Sequence, residues 1–187
     1  MTLPYYTTVE SPYGELAVLW EEWNGGIRVV RVLLPSGNTA TSERVQQYAP
    51  GARRGCHADI RCLSEQMSAF FAGQPVRFAL DNVALDTCSI FQTRVLLAEH
   101  AIPRGLVSTY GLIARHLAAP GAPRAVGAAL AHNPFPIIIP CHRAVRSDGG
   151  LGGYQGGLTM KRRLLEMEGV QFSLQGRVIA SSFYYAA

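Results

Sequence analysis

Cysteine is scarce in this chain, which argues against a secreted fold held together by disulfides. Only four cysteines occur among 187 residues: Cys56, Cys62, Cys88 and Cys141. We therefore expect reduced thiols. His57 beside the first two raises the possibility of a metal site, but the spacing matches no regular zinc pattern. We expect neither a bound metal nor any other cofactor.

Long hydrophobic runs are also missing. No window approaches the roughly 18 unbroken apolar residues of a membrane span. The first residues also lack the basic-then-apolar pattern of a signal peptide. Apolar residues make up 48% of the chain and charged residues 16%, which fits a compact globule. We expect a soluble, monomeric, cytoplasmic protein with no membrane partner, associated with the nucleoid if the source is prokaryotic.

Carboxylates are absent from one long basic stretch. Between His100 and Ser147 there is no Asp or Glu, whereas five arginines occur: Arg104, Arg115, Arg124, Arg143 and Arg146. Such a stretch is the footprint expected of a surface that meets phosphates. An ordinary solvated basic face is the alternative interpretation.

The first third of the chain has the pattern of an antiparallel sheet. Strands are predicted at 5–9, 15–20 and 27–34, joined by a turn at Ser11 to Gly14 and by an Asn24-Gly25 hairpin. Beyond them we expect a loop at 36–50 with a short helix at 43–48, a helix over 65–72 capped by Ser64, and a strand at 76–80.

Helical signals begin near residue 89. Ser89 to Gln92 reads as a capping box, and apolar residues then recur on one helical face at 91, 95, 98 and 102. Ser108 or Thr109 caps a second helix, and Pro123 opens a third that runs to about His132. A helix, a short turn and a helix form the spacing of a DNA-binding helix-turn-helix.

The third helix is unusual for a reader of the major groove. Arg124 is accompanied by small residues and by none of the side chains that read base edges. A close backbone approach and one inserted arginine suit base extrusion. Ordinary helix packing explains the small residues equally well.

The segment around Cys141 carries the chemistry. An apolar run ends on Pro140, and Cys141, His142 and Arg143 follow directly. A thiolate is a strong nucleophile, and a neighbouring base or positive charge lowers the pKa of the thiol. The alternative is a small buried cysteine without chemistry. Glu168 lies in the last turn of a helix predicted over 158–167, where the helix dipole disfavours an anion, so a cationic or hydrogen-bonding partner such as His142 or an arginine would explain it. An ordinary surface glutamate is the alternative.

A glycine-dense loop follows at 147–157. Glycines allow a ligand to approach the backbone closely, and Tyr154 offers a ring for stacking. The loop lacks the GK[ST] ending of a phosphate-binding loop.

Taken together, these motifs resemble the methylated-DNA–protein-cysteine methyltransferases, which are O6-alkylguanine-DNA alkyltransferases. The resemblance is dense from about 91 to 169 and weak before that. Its residues are Thr109-Tyr110-Gly111, Arg124-Ala125-Val126-Gly127, Asn133-Pro134, Ile139-Pro140-Cys141-His142-Arg143, Gly153-Tyr154-x-Gly156-Gly157, Lys161 and Leu164-Leu165-x-x-Glu168-Gly169.

The resemblance implies an α+β fold in two domains. The first, residues 1–86, would be a small ribonuclease H-like antiparallel sheet domain. The second, residues 87–187, would be mainly helical, with a helix-turn-helix for DNA binding and a tail from residue 171. The implied partner is double-stranded DNA carrying O6-alkylguanine, and binding could be cooperative.

The resemblance also implies a role for each matching residue. Cys141 would accept the alkyl group, and His142 would take the thiol proton through a water, with Glu168 completing the relay. Asn133 would tie the helix-turn-helix to the active-site segment, and Tyr110 would help to extrude and hold the guanine. DNA contacts would come from Tyr110, Thr109, Arg124, Ala125 and Gly127, and the guanine pocket from Leu130, Tyr154, Gln155, Gly156 and Lys161.

The implied activity is direct reversal of damage in a single turnover, with transfer of a methyl or other alkyl group from guanine O6, and from thymine O4, to Cys141. The thioether product has no good leaving group, so nothing would reset the site. A non-catalytic lesion-binding relative is the main alternative, although such proteins lack the cysteine. A Cys-His-Glu hydrolase and an alkylation-sensing transcription factor explain fewer of the motifs.

Overall fold

The computed structural model describes residues 4–35, 37 and 39–186. Contacts divide the chain into two units: residues up to Leu85 with Pro134–Ile138, and Asp86–Asn133 with the chain from Ile139 onward. The domain prediction had assigned 134–138 to the second domain. This segment groups with the first unit because it runs beside a strand there, where the Val32 N–H donates to the Pro134 carbonyl at 2.8 Å.

The first unit is built on a four-stranded sheet. Its strands are β1 (Tyr5–Val9), β2 (Leu16–Trp23), β3 (Gly26–Leu33) and β4 (Arg53–Arg54), in the order β3-β2-β1-β4. The first three are antiparallel, as predicted, and the two-residue β4 pairs parallel to β1. Asn24 and Gly25 both have positive φ, 49° and 79°. The hairpin turn predicted there is confirmed, because its twist requires this conformation.

Two helices accompany this sheet, α1 (Thr41–Tyr48) and α2 (Ala58–Phe71). The prediction that Ser64 caps a helix was wrong. Helix α2 begins earlier, at Ala58, and its cap is His57, whose Nδ1 accepts the Asp59 N–H at 3.3 Å. Ser64 lies inside the helix and its hydroxyl donates to the Ile60 carbonyl at 2.8 Å. Ser36 and Asn38, both within the predicted loop, lie outside the described residues.

The strand predicted at 76–80 is also absent from the described part of the chain, where these residues form no regular structure. The backbone pairs with β3 slightly later. The Val29 N–H donates to the Asn82 carbonyl at 2.7 Å, and the Ala84 N–H donates to the Val29 carbonyl at 2.9 Å.

The second unit is mainly helical. It contains α3 (Ile90–Ala101), α4 (Tyr110–His116), α5 (Pro123–Ala131) and α6 (Gly157–Met167), with a short 3-10 turn at Cys141–Arg143. A second 3-10 turn, Leu85–Thr87, begins on the last residue of the first unit. Two short strand pairs complete it: parallel β5 (Ser108–Thr109) with β6 (Ala144–Val145), and antiparallel β7 (Gln171–Phe172) with β8 (Val178–Ile179). The predicted α+β fold class is confirmed.

The predicted helix starts of this unit are largely confirmed. Ser89 caps α3 by accepting the Gln92 N–H at 3.2 Å, Thr109 caps α4, and Pro123 is the first residue of α5. The capping box is only half formed. The Gln92 side chain does not return to Ser89 but donates to the carbonyls of Ala129 and His132.

The chain after Gly169 is tied to the same unit. The Tyr184 N–H donates to the Val107 carbonyl at 2.8 Å, and the Ser108 hydroxyl donates to the Tyr184 carbonyl at 2.6 Å. The Tyr185 hydroxyl donates to the Ala98 carbonyl at 2.9 Å. The tail therefore packs against the start of β5 and the end of α3.

Among the described residues, none of the helices is both long and apolar enough to cross a membrane.

Candidate active site

A pair of two-residue strands joins the helix-turn-helix to the cysteine segment. Ser108 and Thr109 of β5 pair with Ala144 and Val145 of β6. Tyr110, the first residue of α4, therefore begins its helix beside the segment that follows Cys141. No pattern in the sequence signalled strands this short.

Cys141 occupies the first position of a 3-10 turn directly after Pro140, and it is only 4% exposed. Its N–H donates to the Ile139 carbonyl at 2.8 Å. The Asn133 amide, at the end of α5, donates to the same carbonyl at 3.1 Å. Asn133 thus connects the helix-turn-helix to the cysteine segment, in the position predicted for it.

Cys141 lines a cavity of about 1040 Å³ in this unit. Six other residues predicted to contact DNA or the substrate line the same cavity: Tyr110, Arg124, Gly127, Leu130, Tyr154 and Gln155. Arg146 and Ser147, which the site prediction did not include, also contribute to its wall. The cavity combines a nucleophile, aromatic rings and arginines, a combination that suits a flat, polar aromatic ligand next to phosphates.

Other predicted residues lie away from the cavity. Thr109 is buried and its hydroxyl accepts the Leu112 N–H at 3.1 Å, which leaves its side chain little surface to offer to DNA. Ala125 is exposed on α5, and Gly156 is the N-cap residue of α6. Gln155, by contrast, lines the cavity and also donates to the Asn133 carbonyl at 2.8 Å, which ties the glycine-dense loop to the end of α5.

Tyr110 fits beside the glycine-dense loop only because residue 152 has no side chain. Gly152 has a φ of +68°, and a Cβ added there would lie 2.6 Å from the Tyr110 hydroxyl oxygen. Burial, followed by the nearby acidic groups of Glu99 and Cys141, raises the pKa of Tyr110 to about 12. Its hydroxyl therefore keeps its proton and can act as a hydrogen-bond donor.

Behind the cysteine lies a buried ionic cluster formed by His142, Arg143 and Glu168. Arg143 donates from Nε to Glu168 Oε2 at 2.9 Å and from Nη2 to Oε1 at 2.7 Å, and from Nη1 to the Ile102 carbonyl at 2.6 Å. His142 Nε2 lies 3.1 Å from Glu168 Oε1. The expectation that Glu168 pairs with His142 or an arginine is confirmed, and both partners are present.

The pKa shifts in this cluster assign its protons. Burial opposes the charge of Glu168, but hydrogen bonds and charges from His142 and Arg143 outweigh it and lower the pKa of Glu168 to about 2. Burial lowers the pKa of His142, against the opposing effect of Glu168. The imidazole is therefore neutral at neutral pH. Because Glu168 can only accept, we assign the ring proton to Nε2, which leaves Nδ1 able to accept a proton.

The cysteine itself does not match the prediction made from its neighbours. We expected a lowered pKa, whereas burial raises the pKa of Cys141 to about 11. Glu99 adds to the increase, while the Asn133 amide and Lys161 partly offset it. The resting thiol is therefore protonated, because desolvation penalises the thiolate more than the neighbouring donors stabilise it.

Lys161 is the only lysine of the chain, and it is fully buried. Its Nζ donates to the Ala144 carbonyl at 2.6 Å and to the Gly153 carbonyl at 3.2 Å. It thus holds the glycine-dense loop through its hydrogen bond to the Gly153 carbonyl and does not line the cavity. Burial lowers the pKa of Lys161 to about 8, although Cys141 and Glu99 favour its charged form.

Sequence reasoning missed one acidic residue altogether. Glu99 on α3 is 0% exposed, in electrostatic range of Cys141 and Lys161. A signal was available in the sequence, because Glu99 lies four residues after Val95 and three before Ile102, on the predicted apolar face of that helix.

Among the described residues there is no group of three or more His, Cys, Asp or Glu side chains that could hold a metal ion.

The Gly152→Ala substitution should lower the free energy of unfolding by about 1–3 kcal/mol, because the positive φ is strained for alanine and the methyl group meets Tyr110. The neighbouring Gly153 has no atom within 4 Å of an added Cβ and provides a matched control. Urea unfolding measures both variants. Equal stability of Gly152→Ala and Gly153→Ala would contradict the close approach of Tyr110.

The charge of Glu168 should contribute to stability in a defined pH window. Its pKa in the folded protein is about 2, below the ordinary 4.5, so this contribution is complete above about pH 4.5 and is lost as the pH falls towards 2. Glu168→Gln should cost about 3 kcal/mol at neutral pH, because Arg143 is left buried without its partner. It should also remove that part of the acid dependence.

Urea titrations between pH 2 and 7 measure this effect, and Glu166→Gln serves as the control. Glu166 pairs with Arg162 on the exposed side of the same helix. A loss of stability from Glu166→Gln as large as that from Glu168→Gln would contradict a special role for the buried cluster.

Comparison with known proteins identifies the family. Residues 90–170 match the family described as "6-O-methylguanine DNA methyltransferase, DNA binding domain". The methylated-DNA–protein-cysteine methyltransferase of Methanothermobacter thermautotrophicus is 48% identical over 118 residues, which cover 63% of this chain and 65% of that protein. The protein of the same name from Mycobacterium bovis is 39% identical over 170 residues, 88% of this chain and 92% of that protein.

The likeness extends to the tertiary structure. The crystal structure of Mycobacterium tuberculosis OGT in complex with DNA superposes with a TM-score of 0.70 at 34% identity, and the match covers 88% of this chain and 92% of that one. The sequence relative from Mycobacterium bovis and the solved structure therefore both match this chain across its two units. With the cavity, the cysteine and the helix-turn-helix in place, the chain belongs to the methylated-DNA–protein-cysteine methyltransferase family.

Proposed function

We propose that this protein repairs double-stranded DNA by transferring a methyl or other alkyl group from guanine O6, and from thymine O4, to its own Cys141. The observation that carries the proposal is the position of the Cys141 thiol. It lies in the wall of a cavity that Tyr110 and Arg124 of the helix-turn-helix also line. A base in a duplex cannot reach such a site, so the target nucleotide must leave the stack first.

Arg124 is placed to assist this extrusion. It is the second residue of α5, it is exposed, and it lines the cavity. The helix around it presents small residues, which allow the backbone to approach DNA closely. An arginine that enters the stack as the base leaves would hold the duplex open.

The transfer itself requires one proton to leave the sulfur. The resting Cys141 is a thiol, so attack on the alkyl carbon is coupled to proton removal. Neutral His142, held by Glu168, is the base within the site. We propose that the proton reaches it through a water. The sulfur–carbon bond forms as the carbon–O6 bond breaks, and the Tyr110 hydroxyl donates a hydrogen bond to the departing guanine in the same cavity. The guanine gains its proton from water, and His142 returns the thiol proton to water, so the step is balanced.

The product is a thioether on Cys141 and an unmodified guanine. A thioether lacks a leaving group better than the thiolate, so each molecule acts once. A non-catalytic lesion-binding role has less support, because the cavity retains its nucleophile together with the buried cluster behind it.

We also propose that the protein works in the cytoplasm, associated with the nucleoid if the source is prokaryotic. Its substrate is chromosomal DNA, and its nucleophile must stay a reduced thiol.

Incubation with a duplex that contains O6-methylguanine should add one methyl group to Cys141 and none to Cys56, Cys62 or Cys88. Peptide mass spectrometry measures the site and the stoichiometry. Cys141→Ala should abolish transfer while duplex binding persists. Methylation of another cysteine, or repair of many lesions per molecule, would contradict the proposal.

Arg124→Ala should slow repair of the duplex about tenfold or more, because no side chain then enters the base stack to replace the extruded nucleotide. A tenfold loss corresponds to roughly 1.4 kcal/mol of transition-state stabilisation. Reaction with the free base O6-methylguanine needs no extrusion and should change little. Arg115→Ala, which removes another exposed arginine of the basic stretch, is the matched control: it should at most weaken binding of the duplex, without slowing transfer at saturating duplex or reaction with the free base. A loss of the same size on duplex and free base would argue against an extrusion role for Arg124.

A further inference from the structure

Glu99 is a buried acid with no role in the mechanism above. It lies in α3 and is 0% exposed, and among the described residues neither carboxyl oxygen makes a hydrogen bond of normal geometry, although the Ala144 N–H is close enough to favour its charged form. A buried carboxylate without hydrogen bonds is costly, so a protein retains one only where packing or function compensates.

Several titratable and charged groups surround Glu99, and they come from different elements. Lys161 of α6 and Arg143 of the 3-10 turn favour its charged form, as does the backbone N–H of Ala144 in β6. Three neighbouring groups become anions when they lose a proton: Cys141, Tyr110 of α4 and Tyr185 of the tail. A negative charge on Glu99 disfavours their ionisation and so raises the pKa of each. The nucleophile of the proposed reaction is therefore one of the groups that Glu99 acts on.

We propose that Glu99 is a positioning residue for alkyl transfer, whose buried carboxyl group controls how much negative charge the Cys141 sulfur can carry during attack. This inference rests on the proposed function, because it assigns a control to the same site. It follows from burial and geometry. Glu99, Lys161 and Cys141 are all buried, and Glu99 lies three residues before Ile102, whose carbonyl accepts Arg143 Nη1 at 2.6 Å. Lys161 Nζ donates at 2.6 Å to the carbonyl of Ala144, three residues after Cys141.

The charge balance of the cluster explains the control. Burial raises the pKa of Glu99 to about 8, and burial lowers the pKa of Lys161 to about the same value. Below pH 8 the carboxyl group is neutral and the lysine is charged, so the cluster is positive and favours a thiolate. As the pH rises through about 8, Glu99 becomes negative and Lys161 begins to lose its proton. Both changes oppose the thiolate.

The expected consequence is that the rate of alkyl transfer rises less steeply with pH above about pH 8. Proton removal from the thiol makes transfer faster as the pH rises, whereas ionised Glu99 counteracts this gain. Replacing Glu99 with an uncharged residue should remove the counteraction above pH 8 and change little below it.

The test compares the rate of Cys141 methylation by an O6-methylguanine duplex between pH 6.5 and 9.5, in the full chain and in Glu99→Gln. At pH 6.5 the two rates should agree within about twofold, and at pH 9 Glu99→Gln should be faster by about threefold or more, equivalent to half a pKa unit. Glu166→Gln, which removes an exposed carboxylate, should follow the unmodified chain throughout. A rate ratio that stays constant with pH would overturn the proposal.

A second variant separates charge from packing. Glu99→Leu also removes the charge but cannot hydrogen bond. It should show the same gain above pH 8 as Glu99→Gln. A gain with glutamine but a loss with leucine would overturn the electrostatic role, because it would show that Glu99 acts as a neutral hydrogen-bonding group.

A direct titration distinguishes this inference from the function on which it rests. The ultraviolet absorbance of the Cys141 thiolate, taken as the difference from the corresponding Cys141→Ala protein, should give a lower pKa in Glu99→Gln than in the unmodified chain. An unchanged thiol pKa would overturn the inference even if the protein repairs DNA. A lowered pKa in a protein that transfers no methyl group would support the coupling and refute the function.

Discussion

The buried carboxylate of Glu168 is the interaction on which the site depends. Two arms of Arg143 and the His142 imidazole all bond to it, and Glu168 and His142 side chains are entirely enclosed. A buried ionic cluster is stable only when every charge has a partner. Because the arginine and the histidine directly follow the cysteine, this one carboxylate fixes the direction of the nucleophile's own backbone. It also orients the imidazole, which burial keeps neutral, and it sets which ring nitrogen can receive a proton.

The surroundings of Cys141 combine two opposing effects. Burial keeps the thiol protonated, which protects it from oxidation and from chance electrophiles, since both react with the thiolate. The neighbouring amide of Asn133 and the charge of Lys161 favour the thiolate, while Glu99 opposes it. A protein that is consumed by its own reaction benefits from a nucleophile that becomes reactive only when a substrate fills the cavity.

Local signals were read correctly where one residue suffices to determine the backbone. The Asn24-Gly25 turn, the Ser89 and Thr109 caps and the Pro123 helix start are all confirmed. The errors came where a local signal had competing outcomes. Ser64 resembles a cap, yet its hydroxyl donates to the Ile60 carbonyl within a helix that His57 has already capped. The apolar run at 76–80 has strand composition but no strand, because the backbone of β3 pairs with residues 82–84 instead.

The sequence by itself determined the family, the order of the main helices and the identity of the nucleophile, because residue type, caps and motif spacing are properties of neighbours along the chain. Only the tertiary structure decided the electrostatics. It pairs Arg143 with Glu168 and buries Lys161 and Glu99. It also raises the pKa of Cys141, which the neighbouring residues in the sequence were expected to lower. The reason is physical: desolvation and charge coupling depend on distances between α3, α6 and the cysteine turn, and those distances exist only once the chain has folded.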